Sequence, residues 1–156
     1  MGYFGAYHYI STLSGNEKER LSVLNIDMAG NSALGGGKIL TVSTNSVYVS
    51  NAKSNDISIA VDKGKKFTGN IGEEKYYSAV SAGKHDIVPF EKAGIPAATL
   101  SWRESNPAAS YGSQYDLAAP SQIHTTLDTY QNFNKTSLFL TTRLITNTLI
   151  LSYAQA

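Results

Sequence analysis

The sequence contains no cysteine among its 156 residues. Disulfide bonds, thiol catalysis and zinc ribbons are therefore excluded, and a metal site in this chain would have to use His, Asp and Glu side chains. An excess of either charge is also lacking, since 13 Lys and Arg residues stand against 12 Asp and Glu residues. This balance leaves no field strong enough to indicate binding to nucleic acid or to an anionic membrane, and we expect no nucleic-acid partner.

Long hydrophobic runs are missing as well. No apolar run approaches the ~18 residues of a membrane span, so we expect no membrane span. The first residues, MGYFGAYHYI, lack the basic and apolar regions of a signal peptide, so we expect no export signal in this stretch. The low charge and the many Ser, Thr, Asn and Tyr residues nevertheless favour an extracellular or cell-envelope location for the protein to which the chain belongs.

The apolar residues that are present make up 42% of the chain, enough for one hydrophobic core, and we expect a single domain over residues 1–156. Apolar runs predict three strands, at 21–28, 39–43 and 93–102. The run at 21–28 is nearly continuous, as expected for a strand that is covered on both faces in a parallel sheet. Apolar residues at helical spacing predict three helices, at 5–13, at 55–67 and from Asn134 onward, with Asn134 as the cap of the last. The Ser-Gly-Asn turn at 14–16 is expected to end the first helix. Strands that alternate with helices predict an α/β fold with a mixed, mostly parallel sheet flanked by helices.

Asp27 is a candidate ligand because it ends the first predicted strand. In open α/β sheets, ligands bind beyond the carboxyl ends of the strands. The alternative is that the carboxylate only accepts hydrogen bonds from the turn that follows. The residues alone leave both interpretations open.

A second candidate lies in the stretch IHTTLDT, from Ile123 to Thr129, which precedes the last helix. A loop can aim His124 at the end of a strand, although a lone loop histidine is usually exposed and without function. Asp128 could accept a hydrogen bond from the second imidazole nitrogen, or it could cap the helix. Both readings stay open for each residue.

Four stretches of the chain, in their order along the sequence, match the motifs of a known family: GYFGAYHYI, LNIDMAGN, KHDIVPFEKAGIPAATL and IHTTLDT. Together they resemble the co-catalytic double-zinc aminopeptidases of the bacterial leucyl aminopeptidase type, which are related to the glutaminyl cyclases. The resemblance implies the fold of that family, truncated at its N-terminal side. The chain would then be the back portion of a zinc peptidase catalytic domain.

The resemblance also implies roles for individual residues. Asp27 and His124 are expected to be metal ligands, one to each of two zinc ions, and Asp86 and Asp128 are expected to support them. The family's Glu-Glu pair, which includes the general base, and its first His and Asp ligands would lie upstream of Met1. No catalytic residue is therefore expected in this chain.

Two positions depart from the pattern of the family. Ile123 stands where the family has a tyrosine that stabilises the tetrahedral intermediate, and isoleucine has no donor for an oxyanion. The family's Ser-Asp-His trio reads His85-Asp86-Ile87 here, so that only the aspartate is kept.

The function implied by the resemblance is a zinc-dependent aminopeptidase that removes N-terminal residues from peptides in its complete form. The isolated chain is expected to be inactive because it lacks the general base. Two alternatives are a non-catalytic α/β interaction module that kept the peptidase scaffold, and one half of a split enzyme. The partners expected are a peptide substrate in the complete enzyme and either a second copy of the chain or a complementing N-terminal chain.

Overall fold

The computed structural model describes residues 2–30, 38–46, 48–49, 51–68, 75–79, 86–105, 117–118, 125–126 and 129–153. The elements in chain order are α1 (Phe4–Thr12), α2 (Gly15–Arg20), β1 (Val23–Asp27), β2 (Lys38–Thr44), α3 (Ser54–Thr68), β3 (Lys75–Ala79), α4 (Val88–Lys92), β4 (Ala97–Ser105), β5 (Leu117–Ala118) and α5 (Lys135–Tyr153). A short 3₁₀ turn over Tyr130–Asn132 precedes α5. All three predicted strands and all three predicted helices are present, whereas α2, β3, α4 and β5 were not predicted.

The strands form one sheet in the order β1-β4-β2-β3, and β5 pairs with the far end of β4. The pairs β1–β4 and β2–β3 are parallel, whereas β2–β4 and β4–β5 are antiparallel. The predicted α/β class and mixed sheet are therefore confirmed. β4 is the central strand because it pairs with β1 and β5 on one edge and with β2 on the other.

The main core lies on the face of the sheet that α3 and α5 cover. Alternate residues of a strand point to the same face, and Leu40 stands opposite Trp102 while Val42 stands opposite Leu100. These four side chains are fully buried and pack with residues of α3 and α5, namely Val61, Leu140 and Leu144. A smaller cluster around Ile87 and Ala97 lies beside α4.

The last helix begins where the sequence predicts. The side-chain oxygen of Asn134 accepts a hydrogen bond from the backbone N–H of Ser137 at 2.9 Å, so Asn134 satisfies a donor at the start of α5. Leu140 and Leu144 of this helix are buried, as their spacing predicts, but Leu149 is 52% exposed. Among the helices of the described residues, none is long and apolar enough to cross a membrane.

Two expectations were wrong in detail. The Ser-Gly-Asn turn does not end α1, because Ser14 begins the next helix: its side chain accepts from the Glu17 N–H, while the Glu17 carboxylate accepts from the Ser14 N–H, which is a capping box. The strand at 21–28 is not covered on both faces, since Ile26 is 47% exposed. β1 is an edge strand among the described strands, and its apolar run does not reflect burial in the middle of the sheet.

Candidate metal centre

Asp27 is the last residue of β1 and is half-buried. Its register partner on the parallel strand β4 is Ser101, and two residues earlier Asn25 partners Thr99. Residues in register on neighbouring strands point to the same face, so these four polar residues share the face opposite the main core. The structure therefore places Asp27 at the carboxyl end of a strand, as the sequence predicts.

Buried hydroxyl groups continue this polar row across the sheet. Thr41 of β2 partners Ser101, and its hydroxyl donates to the Ser101 carbonyl oxygen at 3.0 Å, with the two hydroxyl oxygens 3.3 Å apart. Asn25 donates its side-chain N–H to the Thr99 hydroxyl at 3.4 Å. Thr41, Ser101 and Thr99 are all buried. Buried polar groups need hydrogen-bond partners, and these residues supply partners to one another. The bonds thereby connect the neighbouring strands beside Asp27.

The hydroxyl row was missed in the sequence, although a signal for it exists. In β2 and β4, hydroxyl residues alternate with apolar residues, as in LTVS and ATLSW. A period of two is the signature of a strand with one polar and one apolar face. The apolar residues alone predict the strands, whereas the polar face is visible only in the hydroxyl residues between them.

The turn after Asp27 is shaped by tight packing. Met28 has a positive φ of 54°, a left-handed conformation that turns the chain directly after the strand. At Gly30, a Cβ atom would lie 1.9 Å from Cε2 of the Phe133 ring, so only glycine fits under that ring. The backbone N–H of Asn134 donates to the Gly30 carbonyl oxygen at 2.9 Å. The residues just before α5 are thereby anchored to the turn that follows Asp27.

His124 and Asp128 lie outside the described residues, so their predicted roles stay predictions. What the structure does describe is the chain immediately after them, from Thr129 onward. That chain reaches Gly30 through Phe133 and Asn134. The described chain from Thr129 to Asn134 is therefore attached to the turn three residues beyond Asp27.

Asp86 is exposed and lies in the turn ahead of α4. The next residue, Ile87, packs on Ala97 and Val23, at the beginning of β1 and β4. Asp27 is at the other end of β1, and four residues of strand span about 13 Å. The structure thus places Asp86 near one end of β1 and Asp27 at the other, and the supporting role of Asp86 stays a prediction.

The described residues do not by themselves form a zinc site. Within the described ranges, no three His, Asp or Glu side chains converge where a metal ion could bind. Structural and catalytic zinc sites use three or four protein ligands, and Asp27 supplies one carboxylate. A zinc ion at Asp27 would need further ligands from outside the described part of the chain.

Comparison with protein families matches residues 1–149 to peptidase family M28. The similar solved structures include the zinc aminopeptidase BSAP from Bacillus subtilis, with 24% identity and a TM-score of 0.72. They also include an aminopeptidase from Aneurinibacillus sp. strain AM-1, with 21% identity and a TM-score of 0.62, and the LapA aminopeptidase of Legionella pneumophila, with 19% identity and a TM-score of 0.59. Comparison with curated proteins gives no match.

These structural matches cover 97%, 96% and 96% of this chain, respectively, but only 33%, 30% and 35% of the matched chains. The chain thus spans about a third of the length of each structure. At these identities the likeness shows the fold.

Proposed function

The chain belongs to peptidase family M28, and from this membership we propose that it is part of a zinc-dependent aminopeptidase that removes N-terminal residues from peptides. The observation that carries the proposal is the position of Asp27, at the carboxyl end of β1 and next to the turn that Phe133 and Asn134 anchor. This is the part of an α/β sheet where ligands bind. The matched aminopeptidases of known structure support the same assignment.

In this proposal, Asp27 holds one zinc ion and His124 holds the other. Asp128 accepts a hydrogen bond from the second imidazole nitrogen, which fixes the orientation of the ring, and Asp86 has a supporting role. The support for this arrangement is that Asn134, ten residues after His124 in the sequence, is bonded to Gly30 in the turn that follows Asp27. Zinc, when bound, polarises a carbonyl group and lowers the pKa of a bound water.

One carboxylate and one imidazole, on different ions, do not hold zinc tightly. We therefore expect the 156-residue chain to be inactive by itself, with the general base and the remaining ligands supplied by further polypeptide. That polypeptide is either upstream sequence of the same protein or a second chain, as in a split enzyme. An extracellular or cell-envelope location of the complete protein stays a prediction.

A second candidate function is a non-catalytic interaction module that kept the peptidase scaffold. The observation that favours it is that no three-ligand cluster lies within the described ranges. The two candidates differ in whether any longer or complemented form of the protein binds zinc.

The test is calorimetric titration with zinc, together with hydrolysis of leucyl-p-nitroanilide. It compares the 156-residue chain with a form extended by the coding sequence upstream of Met1. We expect tight zinc binding and hydrolysis only in the extended form, and we expect Asp27→Asn or His124→Ala to weaken the binding. Asp56→Asn is the matched control, because Asp56 is exposed on α3. Equal zinc affinity of the Asp27→Asn variant would refute the ligand assignment, and an extended form that binds no zinc would favour the interaction module.

A further inference from the structure

The residue that follows Asp27 has a left-handed backbone. Met28 has a φ of 54°, and Asn45 has a φ of 56°. Asparagine is one of the residues that favour this conformation, whereas a methionine is strained in it. A strained conformation persists only where the surrounding structure holds it, and such conformations cluster at functional sites. The turn at 28–30 is therefore held by contacts from outside the turn.

Those contacts come from the residues just before α5. The Asn134 N–H donates to the Gly30 carbonyl oxygen at 2.9 Å. The Phe133 ring lies over Gly30, so closely that a Cβ atom there would be 1.9 Å from Cε2 of the ring. The same ring stacks with the Tyr130 ring, with 6.1 Å between the ring centroids and 7° between the planes. The Phe133 ring thus has defined neighbours and closes the turn through which the chain leaves β1.

The direction of the chain after Asp27 depends on this turn. Asp27 and Ser101 are the last register pair between β1 and β4, so pairing with β4 does not guide the chain beyond Asp27. A metal ligand has to be held within about 0.5 Å and about 10–20° of its productive geometry, and the residues packed around it provide that precision. A change in the turn would rotate the backbone next to Asp27 and move its carboxylate.

We propose that Phe133 is a positioning residue for Asp27. Its ring holds the turn at 28–30 closed, keeps Met28 left-handed and thereby orients the Asp27 carboxylate for a zinc ion. The inference rests on the proposed role of Asp27 as a zinc ligand. Phenylalanine has no atom that binds zinc, so Phe133 acts on the metal only through Asp27.

The first test needs no metal. In the form extended by the coding sequence upstream of Met1, the Cα and Cβ chemical shifts and the HN–Hα coupling of Met28 report its backbone conformation. Phe133→Ala is expected to move these NMR signals away from left-handed values, whereas Phe133→Tyr keeps the ring and should not. Phe139→Ala is the matched control, because it removes the same ring from a position of α5 that is 61% exposed.

The second test titrates the same variants with zinc, at a temperature where circular dichroism shows each of them folded. Phe133→Ala is expected to raise the zinc dissociation constant about tenfold or more, since residues that orient a metal ligand typically contribute about 10- to 100-fold in affinity. With Co²⁺ in place of zinc, the visible absorption bands should shift, because they depend on the geometry of the ligands. A loss of stability alone would lower the melting temperature without moving these bands. Phe133→Tyr should restore both the affinity and the bands.

Gly30→Ala tests the same contact from the opposite side. Its Cβ atom meets the Phe133 ring, so this variant should also weaken zinc binding about tenfold. The added methyl group should cost less affinity when Phe133→Ala has removed the ring. Strictly additive effects of the two substitutions would contradict a shared contact.

Comparison with Asp27→Asn separates this inference from the proposed function. If Asp27→Asn raises the dissociation constant and Phe133→Ala does not, the inference is overturned, whatever the Met28 signals show. It is also overturned if Phe133→Ala and Phe139→Ala weaken zinc binding equally. If Asp27→Asn binds zinc as tightly as the unaltered protein, the ligand assignment itself fails and the inference fails with it.

Discussion

The indole N–H of Trp102 donates a hydrogen bond to the Thr141 hydroxyl at 2.9 Å, and both residues are buried. Thr141 in turn donates to the Ser137 carbonyl oxygen of its own helix at 2.8 Å. The bond joins β4, the central strand, to α5. A hydrogen bond requires a defined distance and angle, whereas an apolar contact does not. The bond therefore fixes the position of α5 along the sheet.

Thr141→Val should destabilise the protein while keeping the shape of the side chain. The variant leaves the Trp102 N–H buried without its acceptor, which costs about 1–3 kcal/mol. Urea unfolding, followed by the fluorescence of the single tryptophan, measures the loss. Thr142→Val is the control, because Thr142 is exposed on the same helix. Equal stability of the two variants would show that the hydrogen bond contributes nothing.

Gly64→Ala should also destabilise the protein, although alanine favours helices. A Cβ atom at Gly64 would lie 2.4 Å from the Thr148 hydroxyl and 2.8 Å from its backbone nitrogen, so α3 and α5 would have to separate. Such overpacking costs about 1–3 kcal/mol, against about 1 kcal/mol gained in helix propensity. Gly5→Ala in α1 meets nothing within 4 Å and should keep or raise the stability. Thermal unfolding measures the stability of both variants. If Gly64→Ala is as stable as Gly5→Ala, the close packing of α3 against α5 at Gly64 is contradicted.

The capping box of α2 should make that helix sensitive to acid. The side-chain and backbone hydrogen bonds from Ser14 lower the pKa of Glu17 below its ordinary value of 4.5. A group whose pKa is lower in the folded state stabilises the fold above its unfolded pKa, and this contribution is lost as the pH falls through the folded pKa. Carbon-detected NMR titration should give a Glu17 midpoint below 4.5 that returns toward 4.5 in Ser14→Ala. An unchanged midpoint in that variant would assign the shift to another cause.

The sequence was sufficient for the features that depend on local pattern. Strands and helices that bury apolar side chains show this in the sequence as a regular apolar pattern. The apolar runs of β1 and β2 and the spacing of Leu140 and Leu144 in α5 are such patterns. The Asn134 cap depends only on residues up to Ser137. Such features are short in range and can be predicted without the rest of the fold.

The position of an element in the sheet cannot be predicted in the same way. VLNID has the composition of a strand covered on both faces, yet β1 lies at an edge of the sheet that the described strands form. Its neighbour there is β4, some seventy residues later in the sequence. The same holds for the candidate site. The position of Asp27 at a strand end is local, whereas the location of Asp86 beside the other end of β1 depends on how α4 packs.

The side chain of Glu91 provides the last prediction, because it joins α4 to the turn after β2. It is 2% exposed, and one carboxylate oxygen accepts from the Ser46 N–H at 2.8 Å. The Ser46 hydroxyl in turn accepts from the N–H groups of Tyr48 and Val49, so Ser46 connects Glu91 of α4 with the residues that follow β2. The second carboxylate oxygen is buried with no hydrogen-bond partner among the described residues.

Glu91→Leu should therefore lower the free energy of unfolding by about 1–3 kcal/mol, because it leaves the buried Ser46 N–H without an acceptor. Glu91→Gln keeps an oxygen for that N–H and should lose less. Glu19→Leu, at an exposed position of α2, is the control and should change little. Urea unfolding gives the stabilities, and hydrogen exchange of the Ser46 amide should accelerate in Glu91→Leu only. If the Gln and Leu variants lose the same stability, packing of the side chain accounts for the role of Glu91, and the hydrogen bond does not.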